Sequence, residues 1–535
     1  MRVKLALIIC LINYGDASLK INPNIVLILA DDMGWNDVSY HGSNQIPTPN
    51  IDALAYNGLI LERFYVAPLC TPSRAALLTG QYPIRYGFQG LPIRSGEDRH
   101  LPLELETLPL KLKQLGYGTA LIGKWHLGFS HRNATPTYRG FDYHVGYWTG
   151  LINYFDHVNS EEYAGFDMHE DLYTAWHLQH EYATHLFTRK AQEVIRKHDY
   201  ERPLFLMMSH LAAHAGNQKL LEVPDIDDNN RRFHYIEDGA RRLYAGIVTE
   251  LDTSVGVVIQ ALRDKGVLNN TIIVFLSDNG AQNIGEYDNS GSNWPLRGMK
   301  ATVFEGAVRS PAFFYYSKLQ KKSSVNSQLM HITDLMPTLY AAAGGNVETL
   351  GTIDGINQWD TITRGARSTR SSALLDIDEV AEYSSLIGYN GHYKLINGSV
   401  LGDFATDGYF GGDAGRSANP PYDVDSILSS LTNRAIDGGL TREKVVELRG
   451  KLTTKCAGVD SRAVPCDPDR FCLFDVMNDP CETANLAKKY PHMVHKLSEE
   501  LSKYWRILQP QSQHLRDKNA DPSRFNNSWS MWMEK

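Results

Sequence analysis

The 535-residue sequence has no apolar run that, away from its start, approaches the ~20 residues a membrane-spanning helix requires, which excludes a membrane span. A positive balance is missing as well. With 53 Lys and Arg against 61 Asp and Glu, a formal net charge of -8 and no long basic run, nucleic acid is excluded as a partner. The positive charge that an anionic substrate would need must therefore be local. Cysteine is scarce, with 6 in all, and there are no internal repeats and no low-complexity tracts beyond a few loops. What remains is 43% hydrophobic and 21% charged, an ordinary globular composition. The length suits one large domain with a smaller companion.

The first twenty residues, MRVKLALIICLINYGDASLK, place Arg2 and Lys4 before an apolar stretch and small residues at Gly15 and Ala17. That pattern reads as a secretory signal cut after Ala17, spanning residues 1–17. Asn133, Asn269, Asn397 and Asn526 each begin an N-x-S/T sequon, in keeping with an exported glycoprotein. Cys10 leaves with the signal. Cys456, Cys466, Cys472 and Cys481 crowd into the C-terminal part, where an oxidising compartment pairs them. Of three connectivities, local pairing of Cys456 with Cys466 and Cys472 with Cys481 is favoured. Cys70 is the odd one, either inert core or reactive.

Four apolar runs each stop at polar residues. NIVLILADDMG ends at Asp31 and Asp32, and TIIVFLSDNG at Asp278 and Asn279. GTALIGKWHLG ends at Lys124 and His126, and PLFLMMSHLAAH at His210 and His214. Such runs, alternating with helical segments, read as buried strands of a helix-flanked, mostly parallel α/β sheet. One of those helices carries Ile247, Leu251, Val255, Val258, Ile259 and Leu262 at helical spacing and stops at Gly266. Ligands of open α/β sheets bind beyond the carboxyl ends of the strands, so the polar clusters can meet in one crevice. Asp31, Asp32, Asp278 and Asn279 offer only oxygen ligands; calcium fits first and magnesium second.

In APLCTPSRAALLTG, a proline follows Cys70 at a helix-start position, and Gly80 stands where a C-cap belongs. Cys70 then sits at a helix N-terminus, where the amide groups and the macrodipole favour anions.

The CTPSR and AALLTG segments resemble the signature of type I sulfatases of the alkaline phosphatase superfamily. PNIVLILADDMGWND, PTPNIDALA, GYGTALIGKWHLG, LSDNGAQ and NWPLRGMKATVFEGAVRSPAF follow in that family's order. NWPLRG and LFDVMNDPCETANLA resemble the arylsulfatase B branch. The resemblance implies an alkaline phosphatase-like fold and sulfuric ester hydrolysis. It also implies oxidation of Cys70 to formylglycine by the formylglycine-generating enzyme during maturation. Ca²⁺ would be held by Asp31, Asp32, Asp278 and Asn279, with modified Cys70 completing the shell. Arg74 would orient the formylglycine, Lys124 and Lys300 would grip sulfate oxygens, and His126 would hydrogen-bond the formylglycine hydroxyl. His214 would bind substrate and protonate the leaving alcohol; His210 is the alternative, and His214 is preferred because it lies further beyond its strand. In this scheme one hydroxyl of the aldehyde hydrate attacks sulfur, and the second expels sulfate. A thiol or a serine has no second hydroxyl.

The segment HITDLMPTLYAAAGG reads as the last helix of a catalytic domain spanning 18–370, and TITRGARSTRSSALL as the loop at its boundary. Residues 371–535 are expected to form a smaller α+β domain of short strands, disulfides and one helix. The default substrate is an N-acetylgalactosamine 4-sulfate unit of a glycosaminoglycan. Small aryl sulfates and plant-derived sulfates such as glucosinolates stay open, as do a phosphoesterase and a binding protein that has lost catalysis. Aromatic residues of GYWTGLINYFDHVNSEEYAGFD are candidates for stacking on substrate. The destination is lysosomal or secreted.

Overall fold

The computed structural model describes residues 22–398, 404–411, 419–456, 466, 471–512 and 514–534. The signal sequence and Cys10 lie outside the described residues. Ten strands form the large sheet: β1 (Asn24–Ala30), β2 (Leu59–Leu61), β3 (Gly118–Gly123), β4 (Tyr143–Gly146), β5 (His169–Glu170), β6 (Tyr173–Thr174), β7 (Leu204–Ser209), β8 (Thr271–Ser277), β9 (Ala312–Tyr315) and β10 (Ser324–Asn326). Their spatial order is β10-β2-β9-β8-β1-β7-β3-β4-β5-β6. The four runs singled out in the sequence are neighbours at the centre. β8, β1, β7 and β3 are mutually parallel, with Ile272, Ile25, Phe205 and Thr119 in one register row. β9 and β5 run antiparallel to their inner neighbours, so the sheet is mixed only toward its edges.

All seven residues of β1 are buried, because both faces of the sheet are covered. Val26, Ile28 and Ala30 pack toward α1 (Pro49–Asn57), α3 (Ala183–Lys197) and α4 (Gly239–Asp264). Ile25, Leu27 and Leu29 face the opposite core, which takes in α2 (Cys70–Thr79) and α5 (Leu335–Ala342). The spacing of α4 behaves as expected, and the Asp238 side chain caps its start by accepting from the amide of Arg241. By length and composition α4 could cross a membrane, yet 78% of its most apolar window is buried, which makes it a core helix.

The boundary segment is partly helical: α6 (Trp359–Arg364) ends on Gly365, whose φ of 71° supplies a left-handed cap. An antiparallel four-stranded sheet follows, in the order β11 (Ala373–Asp378), β12 (Tyr383–Gly388), β13 (Tyr393–Asn397) and β14 (Cys472–Asp475). Leu497 and Leu501 of α10 (Pro491–Trp505) pack on Leu386, Leu395 and Leu473 of this sheet, together with Tyr82 and Ile84 of the first domain. Two other C-terminal segments return to the large sheet. Helices α7 (Val424–Leu428), α8 (Leu431–Ile436) and α9 (Arg442–Leu452) bury Ile427, Ala435 and Leu448 beside α1 and α4. Ala520, Trp529 and Trp532 join the core on the other face.

The disulfides correct the expected pairing: Cys456 bonds Cys481, and Cys466 bonds Cys472. The pair nearest in sequence, Cys466 and Cys472, is bridged, and Cys472 then opens an extended strand that carries the chain ~10 Å away before it turns toward Cys481. Cys481 is instead buried beside Trp35 and Leu296, with Cys456 packed against it. Of the sequons, Asn133, Asn269 and Asn526 are exposed and Asn397 is half-buried.

The two domains are joined by a buried charge cluster. Lys394 Nζ, on β13, lies 2.7 Å from Glu305 Oε1 and 2.9 Å from Glu482 Oε1, with all three side chains fully buried. Burial pushes the Glu482 carboxyl up to about 7, and Glu305 adds to the rise while Lys394 opposes it. A folded-state value above the unfolded one confers stability at acidic pH that is lost as the pH rises through about 7. Glu482→Gln mimics the protonated form. Thermal unfolding of the two proteins is expected to coincide near pH 4 and to separate by pH 8, with the variant more stable by up to roughly 3 kcal/mol. Parallel Tm profiles across that range would contradict this assignment.

Candidate active site

Because β8, β1, β7 and β3 are parallel neighbours, their carboxyl ends deliver Asp278 and Asn279, Asp31 and Asp32, His210 to His214, and Lys124 to one place. Backbone bonds lock these ends together. The amide of Asp278 donates to Ala30 O (3.1 Å), that of Lys124 to Ser209 O (2.8 Å), and that of Ala213 to Asp31 O (2.7 Å). Carboxylate oxygens of Asp31, Asp32 and Asp278 lie within 4.8 Å of one another, and all three residues are fully buried.

Three cations oppose these carboxylates. Lys124 Nζ is 2.7 Å from Asp31 Oδ2, and Lys300 Nζ is 2.7 Å from Asp32 Oδ2. Arg74 donates through Nε (3.0 Å) and Nη2 (2.8 Å) to Asp278 Oδ2, and its Nη2 lies 3.4 Å from Asp31 Oδ1. Its Nη1 donates to the Ser209 hydroxyl. Burial alone would raise every carboxyl here. Lys124 and Arg74 overcome burial at Asp31 and hold it below the ordinary range, and Lys300 and His214 do the same for Asp32. At Asp278 burial and the Asp31 charge win, so its carboxyl is raised.

The donor set fits a hard cation. Asp31 Oδ1 and Asn279 Oδ1 are buried acceptors with no hydrogen-bond partner among the described residues, and Asn279 Nδ2 is turned the other way, donating to Asp32 Oδ1 (2.6 Å). Buried oxygens without donors, beside grouped carboxylates, are what an oxygen-liganded divalent ion requires.

Cys70 is the first residue of α2, and Gly80 closes that helix with φ 67°, as its sequence position predicts. The thiol is unpaired and buried. Burial raises its pKa despite Lys124 and Lys300, the reverse of the depressed values that activate thiolate nucleophiles.

His126 lies against the start of α2, its carbonyl accepting from the Thr71 hydroxyl (3.2 Å). Its Nε2 donates to Ile93 O (2.8 Å), which leaves Nδ1 a buried acceptor with no partner among the described residues. Burial, reinforced by Lys124, depresses its pKa far enough to keep the ring neutral.

The geometry separates the two histidines after β7. His214 Nε2 lies 3.3 Å from Lys300 Nζ and 3.4 Å from Asp32 Oδ2, and its Nδ1 donates to Ala215 O (2.6 Å). His210 instead turns into the core toward Phe187, with Nε2 3.5 Å from the Ser254 hydroxyl of α4. Burial alone lowers His210 to about 4.

Several residues in the arrangement escaped the sequence reading. Ser209, which anchors Arg74, ends β7 directly before His210, and polarity at that apolar run's end was its only signal. Asn293, in NWPLRG, accepts from the amide of Ala281 and donates to Ala281 O (2.9 Å) and Gly298 O (3.2 Å). It thereby pins the loop carrying Lys300 to the loop carrying Asn279. Tyr287 stands over His214 with ring centroids 6.1 Å apart. In the aromatic loop, Tyr147, Trp148, Tyr154 and Phe166 are core residues and have no face free for a sugar.

The chain is similar to known sulfatases. The family model described as Sulfatase matches residues 23–345. Arylsulfatase J of Mus musculus is 35% identical over 519 residues, covering 96% of this chain and 81% of that protein. N-acetylgalactosamine-6-sulfatase of Homo sapiens is 34% identical over 364 residues, covering 64% of this chain and 66% of its own length. Among solved structures, Ps i-CgsB in complex with k-i-k-neocarrahexaose has a similar fold, with TM-score 0.71, 24% identity and coverage of 95% of this chain and 96% of that one.

Proposed function

We propose, on the premise that this chain belongs to the sulfatase family and is a sulfuric ester hydrolase, that its nucleophile is a formylglycine made from Cys70 and its metal Ca²⁺. The observation that carries this reading is Cys70 itself, a thiol kept protonated by burial beside three carboxylates and three cations. Asp31, Asp32, Asp278 and Asn279 would hold the ion, with residue 70 as a further ligand. Bound there, a divalent cation supplies Lewis-acid stabilisation of the sulfate oxygens. The aldehyde hydrate supplies an oxygen nucleophile with a second hydroxyl for release of sulfate.

The remaining tasks fall to side chains already in place. Arg74 orients residue 70 and anchors Asp278. Lys124 and Lys300 present ammonium groups to an anionic ester that repels any other anion, so charge shifting onto its oxygens meets preorganised donors. Neutral His126 offers Nδ1 to accept a hydroxyl proton. His214 is the acid that protonates the leaving alcohol, and Lys300, whose Nζ lies 3.3 Å from His214 Nε2, returns the proton it gives up.

For substrate, we take the N-acetylgalactosamine 4-sulfate units of glycosaminoglycans. Support for the sugar comes from the similarity to N-acetylgalactosamine-6-sulfatase, and the 4-position rests on the arylsulfatase B-like NWPLRG and LFDVMNDPCETANLA segments. Two disulfides and exposed sequons support maturation in the secretory pathway, for lysosomal or secreted use. Turnover of 4-sulfated and 6-sulfated N-acetylgalactosaminides, 4-nitrophenyl sulfate, a glucosinolate and 4-nitrophenyl phosphate tests the assignment. The 4-sulfate is expected to lead in kcat/KM by roughly tenfold or more. A lead by the 6-sulfate or the glucosinolate would overturn the substrate, and a lead by the phosphate would overturn the nucleophile's assigned partner, sulfate.

A further inference from the structure

Beside the catalytic cluster lies a cavity of about 510 Å³ whose walls carry Arg94, Arg99 and Arg516. The strand of chain that separates the two is short and firmly held. The amide of Ile93 donates to the Thr71 hydroxyl (3.2 Å), one residue after Cys70, and Ile93 O accepts from His126 Nε2 (2.8 Å). Two residues on, Ser95 is fixed by Glu161, through its amide (2.9 Å) and its hydroxyl (2.6 Å). Glu161 also accepts from Tyr287 (3.1 Å), the residue standing over His214. Arg94 therefore projects from a segment bonded directly to His126 and linked to His214 through Glu161 and Tyr287.

The charges in this cavity do not close. Arg516 pairs with Glu162, and Arg99 Nε lies 3.1 Å from Glu97 Oε2. His514 Nδ1 lies 2.6 Å from Asp98 Oδ1. Arg94 is exposed and has no ion-pair or hydrogen-bond partner for its guanidinium among the described residues. Arg99 is only 3% exposed; its Nη2 donates to Leu91 O (3.0 Å), and its buried Nη1 has no acceptor among the described residues. An unanswered buried guanidinium donor costs stability unless an acceptor is supplied, and a planar guanidinium favours a carboxylate.

We propose that this cavity binds the carboxylate of a sugar unit adjoining the one whose sulfate is hydrolysed. The substrate is then an anionic oligosaccharide with uronate neighbours rather than an isolated aryl sulfate. This rests on the glycosaminoglycan reading above, and it adds a second anion-binding position with Arg94 at its mouth and Arg99 in its wall.

The test uses the full chain and two readouts. In the first, a desulfated, uronate-containing tetrasaccharide competes against 4-nitrophenyl sulfate hydrolysis. It is expected to inhibit the wild type competitively, with inhibition weakening as salt rises. Arg94→Glu is expected to raise the inhibition constant roughly tenfold, as reversal of a partly exposed charge should. The tetrasaccharide with methyl-esterified carboxyls is expected to lose its inhibition of the wild type. In the second, KM for a 4-sulfated tetrasaccharide is expected to rise in Arg94→Glu far more than KM for 4-nitrophenyl sulfate. Equal inhibition constants in wild type and variant, or equal inhibition by the methyl ester, would overturn the proposal. If the wild type turns over no sulfated oligosaccharide while Arg94-dependent inhibition persists, the glycosaminoglycan reading fails and the carboxylate position stands.

Discussion

Cys70→Ala is expected to abolish sulfate-ester turnover, with a loss of at least ~10⁴-fold in kcat and a change in stability of only about 1 kcal/mol. The large term is chemical: alanine offers no atom that can become a nucleophile. The small term is structural. Cys70 is unpaired and begins a helix whose ten residues are all buried, so only one sulfur atom leaves a core otherwise unchanged. Cys70→Ser makes the sharper comparison, because its single hydroxyl can attack but has no second hydroxyl to release sulfate. Its expected progress curve is one burst of alcohol, stoichiometric with enzyme, followed by no turnover. Mass analysis of the wild-type peptide containing residue 70 should show the aldehyde. Steady turnover by Cys70→Ala, or a fully active enzyme whose peptide carries an intact thiol, would remove the proposed mechanism.

Asp31→Asn should cost roughly 10³-fold in kcat/KM, the scale of losing one charged group from a preorganised oxyanion site. Its stability cost has a different origin. Lys124 Nζ is fully buried 2.7 Å from Asp31 Oδ2, and the substitution strands that ammonium without its counter-ion. Breaking one side of a buried pair typically destabilises by about 3–5 kcal/mol. The double variant Asp31→Asn, Lys124→Met removes both charges and should regain most of that stability while activity stays lost. Calorimetry and steady-state kinetics on the same samples separate the two effects. Recovery of activity along with stability in the double variant would show that neither residue takes part in the chemistry.

Much of the site is legible in the sequence because each piece is local: an apolar run fixes a buried strand, and the next residue is the one that reaches the crevice. Asp31, Lys124 and Asp278 could be placed on that logic alone, and the all-oxygen donor set follows from their chemistry. Gly80 was equally readable, since a helix end that needs positive φ selects glycine. What could not be read depends on long-range packing. The Cys456 to Cys481 bond forms because Cys481 is drawn to Trp35 and Leu296, residues far away in the chain. Helices α7 to α9 return to the first domain because α1 and α4 leave an apolar face for Ile427 and Leu448, which no boundary signal near residue 370 reveals. Only the tertiary structure separates His210 from His214, because both follow the same strand and one of them turns toward α4. Composition also cannot say which aromatics of that loop fill the core, as Tyr147, Trp148, Tyr154 and Phe166 do, and which stay half-buried, as Phe155 and Tyr163 do.

The burial of Cys70 also fixes an order of events. A side chain 2% exposed, at the start of a helix whose ten residues are all buried, gives a second enzyme no stretch of chain to grip once the fold has closed, even where a sulfate group can still reach it. The oxidation proposed for Cys70 must therefore be completed on the nascent or still-open chain. A molecule that folds first keeps its thiol for its lifetime, so the active fraction of a preparation is decided by a race between modification and folding.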